Sequence, residues 1–254
     1  MTKICYFSGT GNTKWSAIKI AEALGDKYEL INIGVESDKK EIILEADAVV
    51  LVFPSYAYGL PIIVNKFIKK AVFKTPYIAS FVTFGTSPGG TLAEACRILK
   101  RKGINAAYWG RIPAVENYIA IFGPPKPKTC EKRLQLQRTA TVEAAHCVAE
   151  RRKNSINTFR PFSFFISALF SLGVKIFYKW YKVNSDCDGC GDCEKVCPVG
   201  AITVKAGYPV FSKKCEHCQG CLNYCPQKAI QFGRLKPDTP RYHHPEIDTD
   251  GIAR

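Results

Sequence analysis

The stretch KICYFSGTGNTK, residues 3–14, carries the first evidence for the fold. Its apolar start, residues 3–7, predicts a short buried strand, and a turn rich in glycine and hydroxyl side chains follows it. Residues 13–24 then have the pattern of a helix, which Gly25 ends. A strand, a tight polar turn and a helix in this order are typical of an α/β protein.

The same alternation continues through the first 123 residues. Apolar runs predict further strands at residues 28–33, 48–53, 77–84 and 105–112. Helices are predicted from Pro61 to about residue 73 and over residues 91–102. Strands that alternate with helices pair in parallel, so the predicted fold class is α/β, with a doubly wound parallel five-stranded sheet covered by helices on both faces.

The polar turn after the first strand is a candidate anion site. It consists of Ser8, Gly9, Thr10, Gly11, Asn12 and Thr13. Backbone N–H groups at the start of a helix attract anions. The turn lacks the G-x4-G-K-[ST] run of a P-loop, and Lys14 stands where the dinucleotide fingerprint needs a third small residue. A phosphomonoester site remains, with an ordinary polar βα turn as the alternative.

Two further loops should meet this turn at the carboxyl edge of the sheet, where open α/β sheets bind ligands. The loop after the third strand contains Pro54, Ser55, Tyr56, Ala57, Tyr58 and Gly59. The loop after the fourth strand contains Gly85, Thr86, Ser87, Pro88, Gly89 and Gly90. Aromatic side chains in one loop and glycines in the other suit a flat aromatic ligand that carries a phosphate.

In these three loops the N-terminal part of the chain resembles flavodoxin, which implies FMN as the cofactor. The resemblance assigns the phosphate to residues 8–13 and the isoalloxazine ring to residues 54–59 and 85–90. Tyr56 or Tyr58 would stack on the ring or serve only packing, and Gly59 would let a peptide reorient towards the flavin N5. Neither ring loop contains Asp or Glu, so the reduced flavin should meet less repulsion than in flavodoxins with acidic loops. Asn117 and Tyr118 are expected to border the ring.

The last third of the chain contains an internal repeat. Eight of the twelve cysteines lie in two runs, CDGCGDCEKVCP from Cys187 and CEHCQGCLNYCP from Cys215. Each run reads C-x2-C-x2-C-x3-C-P. Three thiolates on one tight loop can meet three corners of a cubane, and the fourth corner must be reached from elsewhere. Two zinc ions are the alternative, although zinc sites usually space their cysteines as two separated pairs.

The two runs resemble those of bacterial ferredoxins with two [4Fe–4S] clusters, in which the fourth cysteine of each run ligates the other cluster. One cluster would be bound by Cys187, Cys190, Cys193 and Cys225. The other would be bound by Cys215, Cys218, Cys221 and Cys197. Asp188 departs from the usual pattern, which has an aliphatic residue at this position. His217 is expected at the surface or behind the ligands.

Nearly the whole chain is similar to the flavodoxin–ferredoxin fusions often called EFR-type ferredoxins. We therefore expect four parts: a flavodoxin-like FMN-binding domain at 1–153, a helical aromatic connector at 154–181, a small α+β ferredoxin-like two-cluster module at 182–232, and an extended tail at 233–254 with His243 and His244 at its surface. The resemblance implies electron transfer between FMN, the two clusters and an external redox partner. The alternatives are a flavin-dependent reductase of a small organic substrate and a zinc-stabilised interaction protein.

The net charge of +14 is concentrated in the middle of the chain, because residues 124–182 carry +9 of it. For the basic segment 126–160 three interpretations stay open: a solvated face beside a helix packed between domains, a docking site for an acidic redox protein, and peripheral membrane contact. Binding to nucleic acid is not expected, because no recognition motif accompanies the charge.

The cytoplasm is the expected location of the chain. Its N-terminus does not read as a secretory signal, because it turns polar and glycine-rich after Phe7. The longest apolar run, residues 162–174, is shorter than the about 20 residues of a bilayer span.

Overall fold

The computed structural model describes residues 1–25 and 27–253. Up to residue 149 its elements are β1 (Thr2–Tyr6), α1 (Asn12–Ala23), β2 (Tyr28–Asn32), α2 (Ile33–Glu36), β3 (Ile43–Glu45), β4 (Ala48–Pro54), α3 (Ile62–Lys70), β5 (Val72–Lys74), β6 (Ile78–Phe84), α4 (Thr91–Arg101), β7 (Tyr108–Pro113), α5 (Ile119–Phe122) and α6 (Pro127–Ala149). They are followed by α7 (Pro161–Phe177), β8 (Tyr181–Val183), α8 (Asp192–Lys195), β9 (Ile202–Lys205), β10 (Tyr208–Phe211), α9 (Gly220–Tyr224), β11 (Ile230–Phe232) and α10 (Thr249–Ile252).

The five longer strands of the first half form one parallel sheet in the order β2-β1-β4-β6-β7. This is the 2-1-3-4-5 order of one class of doubly wound sheets. The predicted five-stranded parallel sheet is confirmed. Strands β4 and β6 are apolar along almost their whole length because helices cover both faces.

Alternate residues of β4 point into two separate cores. Val50 and Val52 pack in a cluster with residues of α1 and α6, whereas Leu51 and Phe53 pack in a cluster with residues of α3 and α4. The two faces are therefore sealed by one helix pair each, and the carboxyl edge of the sheet stays open for a site. A second, two-stranded parallel pair of β3 and β5 was not predicted, because three-residue strands carry too little periodicity to be recognised.

The second half is built from very short elements around the two cysteine runs. The hairpin of β9 and β10 and the pair of β8 and β11 are both antiparallel. Helices α8 and α9 each begin inside a cysteine run and contact one another. This region is a small α+β unit, as predicted for the two-cluster module.

The connector after α6 contains one long helix, whereas the C-terminal segment is mostly irregular. Helix α7 continues through a 3-10 turn, and Pro161–Trp180 is, within the described residues, the one helix that is long and apolar enough to cross a membrane by length and composition. Residues 233–253 have no regular structure other than α10, and Arg254 lies outside the described residues. His244, which was expected at the surface, is buried, because this segment packs against the first loop of the sheet.

Candidate functional site

A cavity of about 320 Å³ lies at the carboxyl ends of β1, β4, β6 and β7. Thirteen of the residues predicted for the cofactor line it: Ser8, Gly9, Thr10, Asn12, Thr13, Pro54, Ser55, Tyr56, Ala57, Tyr58, Gly85, Thr86 and Ser87. The other five, Gly11, Gly59, Pro88, Gly89 and Gly90, do not line it. The sheet thus brings the three predicted loops around one cavity.

The first loop presents backbone donors more than side-chain donors. Helix α1 starts at Asn12 after Gly11, whose φ of 90° places it in the left-handed region, and no side chain caps the helix. Such an uncapped N-terminus leaves N–H groups available to an anion. The Asn12 side chain is engaged elsewhere: its Nδ2 donates to the carbonyl oxygen of Val115 at 3.0 Å, and its Oδ1 accepts from the Tyr242 hydroxyl at 2.8 Å.

The loop after β4 is a tight, strained turn. Tyr56 and Gly59 exchange two backbone hydrogen bonds of 3.0 Å, and both residues between them, Ala57 and Tyr58, have positive φ. Glycine is usual at such positions, and strain of this kind clusters at ligand sites. Gly59 has a different role in the fold: a Cβ atom there would collide with Ser167 of α7, so the absence of a side chain lets that helix approach.

A fourth side of the cavity was missed by sequence analysis. It contains Glu116, Ile166, Phe170, Phe177, His217 and Gln219. Glu116 brings a carboxylate beside Gly85 of the predicted ring loop, and its Oε1 accepts from the backbone N–H groups of Asn117 and Tyr118. The absence of Asp and Glu from residues 54–59 and 85–90 therefore does not make the cavity free of acid. The sequence did offer a signal for Glu116, because it directly precedes Asn117 and Tyr118, which were expected to border the ring.

The second cysteine run packs directly against the first loop of the sheet. Cys218 lines the cavity, and a Cβ atom on Gly9 would lie 2.5 Å from the Cys218 carbonyl oxygen. In the opposite direction, a Cβ atom on Gly220 would lie 2.7 Å from the carbonyl oxygen of Gly9. Glycine at both positions is therefore what allows the two backbones to meet. The loop predicted to bind phosphate and the run predicted to bind a cluster are therefore in direct contact.

His217 lies between the cavity and the second cysteine run. Its Nε2 is 2.8 Å from the Tyr118 hydroxyl, and its Nδ1 is 3.1 Å from the Tyr181 hydroxyl. The ring is buried among Phe170, Phe177 and Phe232. Burial lowers the pKa of His217 to about 4. The expectation of a surface histidine is wrong, and the alternative position behind the ligands describes the structure.

The structure brings cysteines of the two runs close together. Cys187, Cys190, Cys193 and Cys225 line one recess. In the second group, a thiolate charge on Cys197 helps to raise the pKa of both Cys215 and Cys218, which places the fourth cysteine of the first run beside the second run. Each group thus has three donors from one loop and one from the other, which fits the donor set of a cubane.

Two of these sulfur atoms also accept hydrogen bonds from the backbone. Backbone N–H groups point at sulfur atoms: Ala201 N lies 3.1 Å from Cys197 Sγ, and Ala229 N lies 3.3 Å from Cys225 Sγ. Hydrogen bonds to sulfur are one way a protein sets the potential of a cluster. Burial, ahead of mutual repulsion, raises the pKa of Cys193 to about 12. Thiols placed together in this way ionise readily only when a metal compensates their charge. Within residues 1–25 and 27–253 no group of three His, Cys, Asp or Glu side chains is arranged for a single metal ion.

The C-terminal segment contacts both the first loop of the sheet and the second cysteine run. His244 N donates to the carbonyl oxygen of Thr10 at 2.8 Å, and the His244 ring stacks on Trp15 at 4.9 Å. The Tyr224 hydroxyl, in the second cysteine run, donates to the carbonyl oxygen of Ile247 at 3.0 Å. The segment therefore connects the first loop of the sheet, residues 8–13, to the ferredoxin-like unit.

Family models match part of each half of the chain. A family model described as a flavodoxin domain matches residues 3–104, and one described as a 4Fe-4S binding domain matches residues 180–203. Ferredoxin-1 of Rhodobacter capsulatus is 44% identical over 46 residues, which cover 15% of this chain and 71% of that protein.

Two further proteins are similar over part of their length. One component of the ion-translocating oxidoreductase complex of Methanosarcina acetivorans is 48% identical over 47 residues, and the chain spans only 18% of its length. A solved structure of a flavodoxin from the domain Archaea has 17% identity over 57% of this chain and 99% of that chain, with a TM-score of 0.32. The assignment of the fold rests on the strand order and the family model.

Proposed function

The chain belongs to the flavodoxin–ferredoxin fusions, and we propose that it transfers electrons between one FMN, two [4Fe–4S] clusters and an external redox partner. In this proposal residues 1–153 bind FMN and residues 182–232 bind the clusters, with 154–181 as connector and 233–254 as tail. Electron transfer as such follows from the flavodoxin and 4Fe-4S domains. When bound, FMN would exchange two electrons and each cluster one, so the chain would convert between the two stoichiometries.

The observation that carries the proposal is the double position of Cys218. It lines the cavity at the carboxyl edge of the sheet, and it belongs to the second cysteine group. A flavin in the cavity and a cluster on Cys218 would therefore be neighbours without an intervening protein layer. In this arrangement the second cluster, with Cys215, Cys218, Cys221 and Cys197, would be the one that exchanges electrons with the flavin.

The residues around the cavity would each have a defined part. The N–H groups at the start of α1 would bind the phosphate, and the strained turn at Ala57 and Tyr58 would present its backbone to the ring. Glu116 would hold a negative charge beside the ring loop. Apolar side chains such as Phe170 and Phe177 would exclude water from the flavin and cluster contact.

The first cluster would be the exit towards a partner. Cys190 is exposed, whereas Cys221 and Cys197 are buried. Asp188 and Asp192 line the same recess as Cys190, and Asp186 is exposed just before Cys187. We place a second contact, with an acidic redox protein, on the basic segment 126–160, whose Arg133 reaches the ring loop by donating to the carbonyl oxygen of Gly85. The cytoplasm remains our proposed location.

Cofactor content tests the proposal directly. Chain purified and reconstituted without oxygen should contain one FMN and about eight iron atoms, from two cubanes. Cys218→Ser should lower the iron content to about half and change the flavin spectrum, because Cys218 borders both groups. Cys96→Ser is the matched control, since Cys96 is a buried cysteine outside both groups. Two zinc ions per chain in place of iron would overturn the proposal.

A further inference from the structure

Helix α7 has one face that packs on the protein. Ser167 and Val174 are buried, and Phe170 and Phe177 contact His217. The Arg97 guanidinium lies 3.4 Å above the ring centre of Phe164. These contacts fix the helix along the rim of the cavity, so it lies on the protein rather than apart from it.

The opposite face of α7 is an uncovered apolar stripe. Five large side chains of α7 and Trp180 of the following 3-10 turn are between 49% and 71% exposed: Phe162, Phe165, Leu169, Leu172, Ile176 and Trp180. They recur every three or four positions, which places them on one side of the helix. Monomeric soluble proteins rarely expose a contiguous apolar patch of this kind unless it is an interaction site.

The charge around the stripe has a single sign. Residues 151–185 contain seven Lys and Arg residues and no Asp or Glu. Arg160 precedes the stripe, and Lys175, Lys179 and Lys182 lie at its other end. The three lysines are exposed. A partner for this face must therefore be apolar in the middle and negative at the edges.

We propose that the apolar stripe of α7 binds an anionic membrane surface, with the helix lying in the plane of the headgroups. Large apolar and aromatic side chains flanked by Lys and Arg are the composition of helices that lie in this interface. A second copy of the chain is disfavoured because an antiparallel pair would set Arg160 beside the partner's lysines. A transient protein interface is usually about as polar as the rest of a protein surface. This stripe is much more apolar than that.

Helix α7 also borders the cavity next to exposed apolar residues of α5. Ile121 and Phe122 of α5 are exposed and line the cavity together with Ile166 of α7. Membrane contact through the stripe would place this side of the cavity towards the lipid surface. The inference rests on exposure and charge, so it stands independently of the cofactors proposed above.

Flotation of the holoprotein with lipid vesicles tests the proposal. We expect it to float with vesicles of phosphatidylcholine and phosphatidylglycerol, and to bind phosphatidylcholine alone more weakly. Replacing Phe165, Leu169 and Leu172 by Ser should weaken binding at least about 10-fold, since the affinity of such helices scales with buried apolar area. Ile43, Val72 and Val210 are exposed apolar residues on other elements, and their triple replacement by Thr is the matched control.

If the apolar variant fails to fold, a charge variant tests the proposed membrane binding. Lys175→Gln, Lys179→Gln and Lys182→Gln together should weaken binding to the anionic vesicles by roughly 100-fold, since each basic residue near such a surface contributes about 1 kcal/mol. Three results would overturn the proposal: no flotation of the wild-type protein with anionic vesicles, flotation that neither variant changes, or a wild-type dimer in sedimentation that the apolar variant abolishes.

Discussion

Gly9 and Cys218 meet backbone to backbone, and this contact joins the sheet to the second cysteine run. A Cβ atom on Gly9 would lie 2.5 Å from the Cys218 carbonyl oxygen and 2.7 Å from its Cβ. Real side chains essentially never approach so closely, and the opposing group is backbone, which cannot rotate away. The two halves of the chain therefore touch at the residues that we propose to contact the phosphate on one side and the cluster on the other.

Gly9→Ala should separate these halves. We expect it to lower the free energy of unfolding by about 1–3 kcal/mol, the usual cost of forcing a methyl group into a packed site. It should also slow electron exchange between flavin and iron, which loss of stability alone would not do. Gly103→Ala is the control, because Gly103 has open space around it and only its positive φ opposes the change. Equal exchange rates in both variants would show that the contact does not set the distance.

The crossed pairing of cysteines predicts which cluster each variant damages. Cys197→Ser should remove the cluster proposed on Cys215, Cys218 and Cys221, although Cys197 belongs to the first run. Cys193→Ser is the matched control, because it should damage the first cluster instead. Electron paramagnetic resonance of the reduced protein, which can resolve two clusters, measures the outcome. If Cys197→Ser spares the second cluster and destroys the first, the pairing is wrong.

His244 should make the attachment of the C-terminal segment depend on pH. Burial lowers its pKa to about 4, below its ordinary value of 6.5. The unfolded state therefore binds more protons between these values, and stability should be lost as the pH falls from about 6.5 to 4, by up to about 3 kcal/mol. Thermal unfolding of His244→Gln should show a weaker pH dependence than the wild type.

A second histidine provides the control for this effect. His146 is exposed on α6, and His146→Gln is the matched histidine variant for comparison. The surrounding charges that also act on His244 are Glu246, Arg138 and His243. An unchanged slope in His244→Gln would assign the acid sensitivity to another group.

The basic segment predicts a rate that depends on salt. Within it, Arg152 is already paired with Glu143 and Glu150, so its charge is less available to a partner. Lys126, Lys128 and Lys132 are exposed near the start of α6. Their replacement by Gln should slow association with an acidic redox protein and flatten its salt dependence, because exposed charges steer encounter and are screened beyond about 10 Å at 0.1 M salt.

Lysines elsewhere on the sheet domain serve as the control. Lys27, Lys40 and Lys69 are exposed and lie outside the segment, so their replacement by Gln should leave the salt slope almost unchanged. Stopped-flow oxidation of the reduced protein by an acidic ferredoxin at several salt concentrations measures both sets. The docking surface is elsewhere if the two triple variants behave alike.

Local sequence patterns were sufficient for the architecture but not for the arrangement of its parts. Apolar runs and helix ends predicted all five strands of the sheet. The two groups of four cysteines stay a prediction. No local pattern connects Gly9 with Cys218, or His244 with Thr10, because these contacts depend on how distant segments dock. The two positions expected for His217 could not be separated for the same reason, since its partners Tyr118 and Tyr181 come from other parts of the chain.

The exposed face of α7 illustrates a different limit. Its spacing of aromatic residues predicts a helix, and a helix between two domains is normally covered. The structure covers only the side with Ser167 and Val174. Periodicity shows that one side of a helix is apolar, but it does not show whether protein or another apolar phase covers that side.

The most direct test of the central claim is the rate of electron exchange within a single molecule. After a brief photochemical reduction without oxygen, flavin and iron–sulfur absorbance should change together, at a rate that does not depend on protein concentration. This result is predicted because Cys218 borders the flavin cavity and belongs to the second cysteine group. A rate proportional to protein concentration, or flavin and iron that do not exchange electrons, would contradict the account.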